Sequence, residues 1–195
     1  MSRRIGLYGG RFDPIHNAHL MMAQIILESL SLDKIVFIPS SIPPHKNVCS
    51  SAEQRLKMID AAIASNPAFE SSDMELRRQG ISYTVDTIGT YSEQSSDLSN
   101  SLHWLMGSDS FIEFGTWRSP EVICTRCRLA VFPRRDSRFE DGPRRFMEFA
   151  DYVSAPQVDI SSTMVREYVR SGRRITYMVP ERVAAIIDSH GLYRI

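Results

Sequence analysis

Two glycines and two histidines crowd one short stretch, Gly9-Gly10-Arg11-Phe12-Asp13-Pro14-Ile15-His16-Asn17-Ala18-His19. An apolar run from Ile5 to Tyr8 precedes it and reads as a buried strand. Leu20, Ala23, Leu27 and Leu30 follow at helical spacing. The junction is therefore strand, turn, helix. Glycines at a strand end let the backbone turn sharply and approach a ligand. A helix start presents free N–H groups and the positive end of the helix dipole, which together favour an anion. His16 and His19 are three residues apart and share a face of the first turn. Two imidazoles there can donate hydrogen bonds to phosphate oxygens. The plainer alternative is a tight turn with two surface histidines. Neither the Gly-x-Gly-x-x-Gly fingerprint of dinucleotide folds nor the Gly-Lys-Ser/Thr ending of a P-loop is present.

A second anion site is suggested by Ile160-Ser161-Ser162-Thr163-Met164-Val165-Arg166. Three hydroxyl residues open a helical pattern, and Ser and Thr are good N-caps. The acid that usually completes such a cap is absent: Met164 follows Ser161 by three, and Arg166 follows Thr163 by three. A first turn without acid, with Arg166 one turn on, suits an external anion. An ordinary N-cap remains the alternative.

Four middle segments add candidates. Pro43-Pro44-His45-Lys46 follows the second apolar run, Ile35 to Ile38, and Lys46 offers a point charge to a phosphate. In Gly80-Ile81-Ser82-Tyr83-Thr84, Thr84 is read as the N-cap of a following helix, whose start would bind a carboxylate. Gly107-Ser108-Asp109 ends a strand, at the sheet edge where α/β proteins bind ligands. Trp117-Arg118 follows, and the Trp117 ring can stack on a flat aromatic ligand. Trp104, inside a strand, is read as core.

The elements that must position these residues alternate. Strands are expected at Ile5–Tyr8, Ile35–Ile38, Leu102–Met106 and Leu129–Phe132, with helical patterns between them. Continuous apolar strands suit a parallel sheet covered on both faces. The fold class is α/β: a doubly wound parallel sheet with helices on both faces and a helical C-terminal segment. That segment holds helices over Ser161–Ser171, stopped by Gly172, and Pro180–His190, stopped by Gly191. Ser92–Ser101 reads as a surface loop, and Arg134–Arg145 as a loop or short helix. With 195 residues the chain is expected to form one domain, residues 1–195.

Composition narrows the function classes. Lys+Arg and Asp+Glu are 23 each, so the formal net charge is zero. Long nucleic acid is held by clustered excess cation, so a small anionic ligand is favoured and nucleic acid is not expected. Cys49, Cys124 and Cys127 form no disulfide framework, and Cys124-x-x-Cys127 lacks a second Cys/His pair at zinc spacing. No residue set is assigned to a metal. The start carries no apolar signal region, and no run of about 18 apolar residues exists, so a cytoplasmic protein with no membrane partner is expected. A homo-oligomer is left open.

Both hydroxyl- and histidine-bearing segments resemble the two signatures of the His-x-Gly-His nucleotidyltransferase superfamily, in order and spacing, across nearly the whole chain. Ala18 stands where that family has glycine. The Pro-Pro-His-Lys, Gly-x-Ser-Tyr-Thr and Gly-x-Asp segments, with Gly191-Leu192-Tyr193, are similar to the bacterial nicotinate mononucleotide adenylyltransferases. The resemblance implies a Rossmann-like fold and adenylyl transfer from ATP to nicotinate mononucleotide. It implies that Gly9, Gly10, Phe12, His16, His19, Asp109, Ser161, Ser162, Thr163 and Arg166 serve ATP, with His16, His19 and Arg166 catalytic. It places Lys46, Tyr83, Thr84, Trp117 and Arg118 around the mononucleotide. It also implies Mg²⁺ held mainly by ATP phosphates, with Asp13 and Asp109 the nearby carboxylates. Arg134, in a segment that departs from the family's Arg-Pro-Gly, receives no role.

Overall fold

The structure is a computed structural model that describes residues 3–41, 49–78, 80–94 and 102–194. Six strands form the sheet: β1 (Ile5–Gly10), β2 (Lys34–Pro39), β3 (Phe69–Ser71), β4 (Leu102–Gly107), β5 (Arg128–Phe132) and β6 (Ala150–Tyr152). Every pairing is parallel, and the strand order is β3-β2-β1-β4-β5-β6. The helices are α1 (Asn17–Ser29), α2 (Ala52–Ile63), α3 (Met74–Arg77), α4 (Thr84–Gln94), α5 (Ser108–Ile112), α6 (Pro120–Arg126), α7 (Ser162–Arg170) and α8 (Glu181–Ser189).

The side-chain period of two along each strand divides the core into two layers. Tyr8, Ile35, Phe37, Leu105, Ala130 and Phe132 face α1, α2, α7 and α8. Ile5, Leu7, Val36, Ile38, Trp104, Met106, Leu129 and Val131 face α4, α5 and α6. Both faces are thereby covered, which is why the strands read as continuous apolar runs. The doubly wound expectation holds. No described helix is long and apolar enough to cross a membrane.

Some details differ from the sequence expectations. β3 and β6 are three residues each and carry polar residues, so they gave no apolar run. α4 continues through Ser92 to Gln94, into the segment expected to be a loop; residues 95–101 lie outside the described residues. Gly172 and Gly191 both adopt positive φ, at 70° and 59°, and end α7 and α8 as expected.

The sheet order reverses at β1, whose two neighbours are β2 and β4. At such a switch point the loops on the two sides diverge and leave a crevice beyond the carboxyl ends of the strands. Gly9 and Gly10 end β1, Ser40 follows β2, Gly107 ends β4 and Arg134 follows β5. The crevice therefore collects residues from four strand ends.

Candidate active site

The two glycines of the first turn do not supply unusual backbone angles; both are strand residues, and the left-handed position belongs to Phe12, with φ 48°. Their role is close packing. A Cβ on Gly9 would lie 2.5 Å from the Trp104 ring, and one on Gly10 would lie 2.9 Å from the Phe12 ring. Phe12 is itself buried, edge-on to Tyr8 and His19, with ring centroids 5.4 and 5.1 Å apart. Its side chain thus belongs to the core beneath the turn.

His16 caps α1 with an extended backbone, at φ −143°. Its ring stacks on that of His19, centroids 3.6 Å apart and planes 21° apart. The backbone N–H of His16 donates to His19 Nδ1 at 3.2 Å. Because Nδ1 accepts, the proton of a neutral His19 ring sits on Nε2. Burial, reinforced by the charge of Arg134, lowers the His16 pKa to about 3. Burial and then the neighbouring His16 and Arg134 push His19 the same way. Both rings are therefore neutral at pH 7. His19 lines the cavity, and His16 lies behind it, 1% exposed.

Three adjoining cavities run along the crevice. The first, about 310 Å³, is lined by Ala18, Met22, Phe132, Pro156, Ser161 and Met164, among others. The second, about 400 Å³, is lined by Gly9, Gly10, His19, Ser40, Glu75 and Trp104, among others. Asp109, Phe132 and Arg134 line both. The third, about 310 Å³, is formed by Tyr83, Thr116, Arg118 and Ile123 together with Ser82, Thr84 and Trp117, which it shares with the second. Trp104, read as core, is buried yet also reaches the second cavity.

Arg134 is the largest addition to the sequence reading. It lies 3.8 Å from Asp109 as an ion pair, and its charge reaches Tyr8, His16 and His19. Gly107 makes room for the pair: a Cβ there would lie 2.4 Å from Asp109 Oδ1 and 2.5 Å from Arg134 Cγ. The available signal was positional, since Arg134 follows a buried strand at the ligand-binding edge. Glu75 was also missed. Its surroundings, Asp73 to Arg78, look like a solvated charged face. In the fold its carboxylate is buried and accepts from Thr87 Oγ1 at 2.5 Å. Burial pushes its pKa up, opposed by the Thr87 and Ser82 hydroxyls and by Arg78 and Arg55.

At the third cavity Thr84 is the first residue of α4, not its cap. The cap position falls to Tyr83, whose carbonyl accepts from the N–H groups of Asp86 and Thr87. The N–H groups of Thr84 and Val85 have no partner among the described residues. Arg118 lies over the Tyr83 ring, 4.7 Å from its centroid, and Trp117 packs on Phe114. Lys46 lies outside the described residues.

At the α7 start, Ser161 Oγ accepts from Met164 N at 3.1 Å, and Ser162 Oγ donates to the Pro14 carbonyl at 2.8 Å. Arg166 donates to the Asp13 carbonyl at 2.7 Å and to Thr163 Oγ1 at 3.1 Å. The two signatures are thus tied to each other, 153 residues apart in sequence for Arg166 and Asp13. Asp13, a candidate metal neighbour by sequence, has both carboxylate oxygens engaged by protein donors. Asp109 is half exposed at the cavity. No group of three or more metal-ligating side chains occurs among the described residues. Cys124 and Cys127 are free thiols whose pKa values burial raises to about 11 and about 12, so neither is a thiolate at pH 7.

The cytidylyltransferase-like family matches residues 7–168. A relative from Salinibacter ruber, described as a probable nicotinate-nucleotide adenylyltransferase, is 38% identical over 192 residues, covering 97% of each chain. The chain belongs to the nicotinate-nucleotide adenylyltransferase family. A second member so described, from Clostridium novyi, is 33% identical and covers 98% of this chain and all of its own. The fold is also that of the Plasmodium falciparum nicotinic acid mononucleotide adenylyltransferase complexed with NaAD. That structure matches with a TM-score of 0.82 at 18% identity, over 98% of this chain and 97% of its own. In this adenylyltransferase-family chain, the histidine turn and the α7 start are segments that the crevice brings together.

Proposed function

We propose that this adenylyltransferase moves the adenylyl group of ATP onto the phosphate of nicotinate mononucleotide, making nicotinate adenine dinucleotide and pyrophosphate. The observation that carries this reading is the three-part crevice. An end bounded by Met22, Phe132 and Met164 suits adenosine, a centre with His19 and Arg134 suits phosphates, and an end with Trp117 and the α4 start suits a pyridine carboxylate.

A phosphate oxygen of the mononucleotide bonds to the α-phosphorus of ATP. The bond from that phosphorus to the bridging oxygen breaks, and its electron pair leaves with pyrophosphate. The attacking oxygen is already anionic at pH 7, so no protein base is required. Catalysis then rests on alignment and on charge stabilisation. His19 Nε2–H donates to the α-phosphate, and the stacked His16 fixes the ring that does so. Gly9 and Gly10 keep the strand end clear. Arg134 and Arg166 neutralise phosphate charge, with Ser161, Ser162 and Thr163 shaping the helix start beside it. Phe12 supports the His19 ring from below. Tyr83, Thr84, Trp117 and Arg118 receive the nicotinate ring, and Lys46 meets the acceptor phosphate.

Mg²⁺ fits this donor set as an ion carried by the nucleotide. Asp109 is the one carboxylate that two of the cavities share, and a single carboxylate suits an ion that keeps phosphate and water ligands. When bound, the ion supplies charge neutralisation on the leaving phosphates.

The test is turnover of ATP and Mg²⁺ with nicotinate mononucleotide and, separately, with the nicotinamide form. Release of pyrophosphate with the first acceptor, at the higher kcat/KM, is expected. No turnover with either would end the reading.

A further inference from the structure

Asp13 is 1% exposed, and burying a carboxylate is costly unless donors compensate it. Here three donors do. Ser50 Oγ and Tyr193 Oη donate to Oδ1 at 2.5 and 2.8 Å, and Cys49 N donates to Oδ2 at 2.6 Å. The Asp13 carbonyl receives Arg166, which the reading above places on ATP. One residue thus joins the first turn, the Cys49–Ser50 segment that leads into α2, the C-terminal tail and α7.

Arg55, also fully buried, makes a matching clamp from α2. Its Nη1 donates to the Arg11 carbonyl at 2.9 Å and its Nη2 to the Ser41 carbonyl at 3.4 Å. Ser40 N donates to the Gly10 carbonyl at 2.9 Å. The negative charge of Asp13 helps keep the buried guanidinium ionised. The turn at 10–14 is therefore fastened on one side to Ser40 and Ser41 and on the other to Cys49 and Ser50. Arg11 and Ser40 also line the central cavity. Of the Arg55 side-chain nitrogens, Nη1 and Nη2 are bonded to the chain, whereas Nε is buried without a partner among the described residues; a well-packed apolar cluster is often as stabilising as such a buried polar one. What the polar cluster adds is fixed geometry between the first turn, α7 and Ser40 at the central cavity.

We propose that Asp13 and Arg55 are positioning residues for adenylyl transfer, holding the ATP-side turn and α7 in register with the end of β2 at the central cavity. This rests on the function proposed above. Neither residue touches the reacting atoms. In-line attack is sensitive to displacements on the order of 1 Å, which cost about a hundredfold. Loosening the cluster is therefore expected to lower kcat while leaving ATP binding intact.

The experiment uses the full chain and compares Asp13→Asn, Ser50→Ala, Tyr193→Phe and the Ser50→Ala/Tyr193→Phe pair with the wild type. The two single donor deletions keep the test available should Asp13→Asn not fold. For each, kcat, the acceptor KM, the ATP Kd without acceptor and the thermal midpoint are measured. The expected result for the pair is a loss of kcat of about tenfold or more, with ATP Kd changed by less than about twofold. A lowered thermal midpoint with kcat unchanged overturns the proposal. So does a loss of ATP affinity equal to the loss of kcat, which marks general damage. If the wild type itself turns over neither acceptor, the function reading has failed instead, a result separate from either.

Discussion

At the start of α1 two backbone donors are turned inward. Asn17 N–H is taken by the Met178 carbonyl, and His16 N–H is taken by His19 Nδ1. What faces the cavity is a side chain, the His19 ring, stacked on a second ring and buried to neutrality. At the start of α4 the reverse holds. Thr84 and Val85 N–H have no partner among the described residues. The first helix start uses His16 N–H to orient an imidazole; the second leaves two donors open. The first arrangement suits a charge that develops during reaction, because a preorganised donor needs no rearrangement. The second suits a fixed carboxylate in the ground state, which accepts from several N–H groups at once.

The contrast can be broken most severely at His19. His19→Ala is expected to raise the barrier by about 2.7–4 kcal/mol, with folding little affected. Steady-state kcat and a thermal melt check it. A folded variant with near wild-type kcat would remove the α1 start from the chemistry.

Arg166→Ala comes next, an effect of about 1.5–3 kcal/mol for a charged hydrogen bond, seen as a raised KM for ATP. Initial rates at varied ATP and varied acceptor separate the outcomes. Should acceptor affinity fall while that for ATP stays constant, the two ends of the crevice have been assigned in the wrong order.

The imidazole side of the comparison alone predicts a pH effect on stability. The folded His16 pKa is lowered to about 3, whereas the unfolded ring has its ordinary value of about 6.5. Below that value the unfolded chain binds more protons. Stability is therefore fully present above about pH 6.5 and declines as pH falls toward 3. Between pH 6.5 and 5 the loss from His16 is about 2 kcal/mol, and His19 adds in the same direction. Denaturant unfolding at the two pH values, on the wild type and on His16→Gln, measures it. The variant is expected to lose less; equal losses would contradict burial of a neutral His16.

The mildest change tests α4. Proline is well tolerated in the first helical turn but has no N–H. Thr84→Pro is expected to reduce the kcat/KM preference for nicotinate over nicotinamide mononucleotide by about tenfold, or about 1.4 kcal/mol. Turnover of ATP with each acceptor reads the ratio directly. If the ratio survives unchanged, open donors at Thr84 are not what selects the carboxylate.

The two glycines show how a correct residue can be read for an incomplete reason. Gly9 and Gly10 were legible as a strand end near a ligand. That Gly9 accommodates Trp104 depends on the register of β1 against β4, and that Gly10 accommodates Phe12 depends on the turn that puts Phe12 at φ 48°. Thr84 shows a one-residue shift of the same kind: the helix start was legible, but its cap position is Tyr83. Arg134 was passed over because its segment matched no motif, although its place after a buried strand puts it at the crevice.

By itself, then, the sequence determined the local events: apolar runs long enough for four strands, the glycine stops of α7 and α8, and the His16–His19 and Ser161–Arg166 helix starts. These depend on neighbours within about one turn of chain, whose spacing the sequence states directly. The tertiary structure decided whatever depends on distant partners. It stacked the imidazoles and buried them until they were neutral, closed three donors around Asp13, paired Arg134 with Asp109, and buried Glu75 beneath the α4 start. Charge state is set by desolvation and by the field of other charges, and those exist only once residues far apart in the chain share one low-dielectric volume.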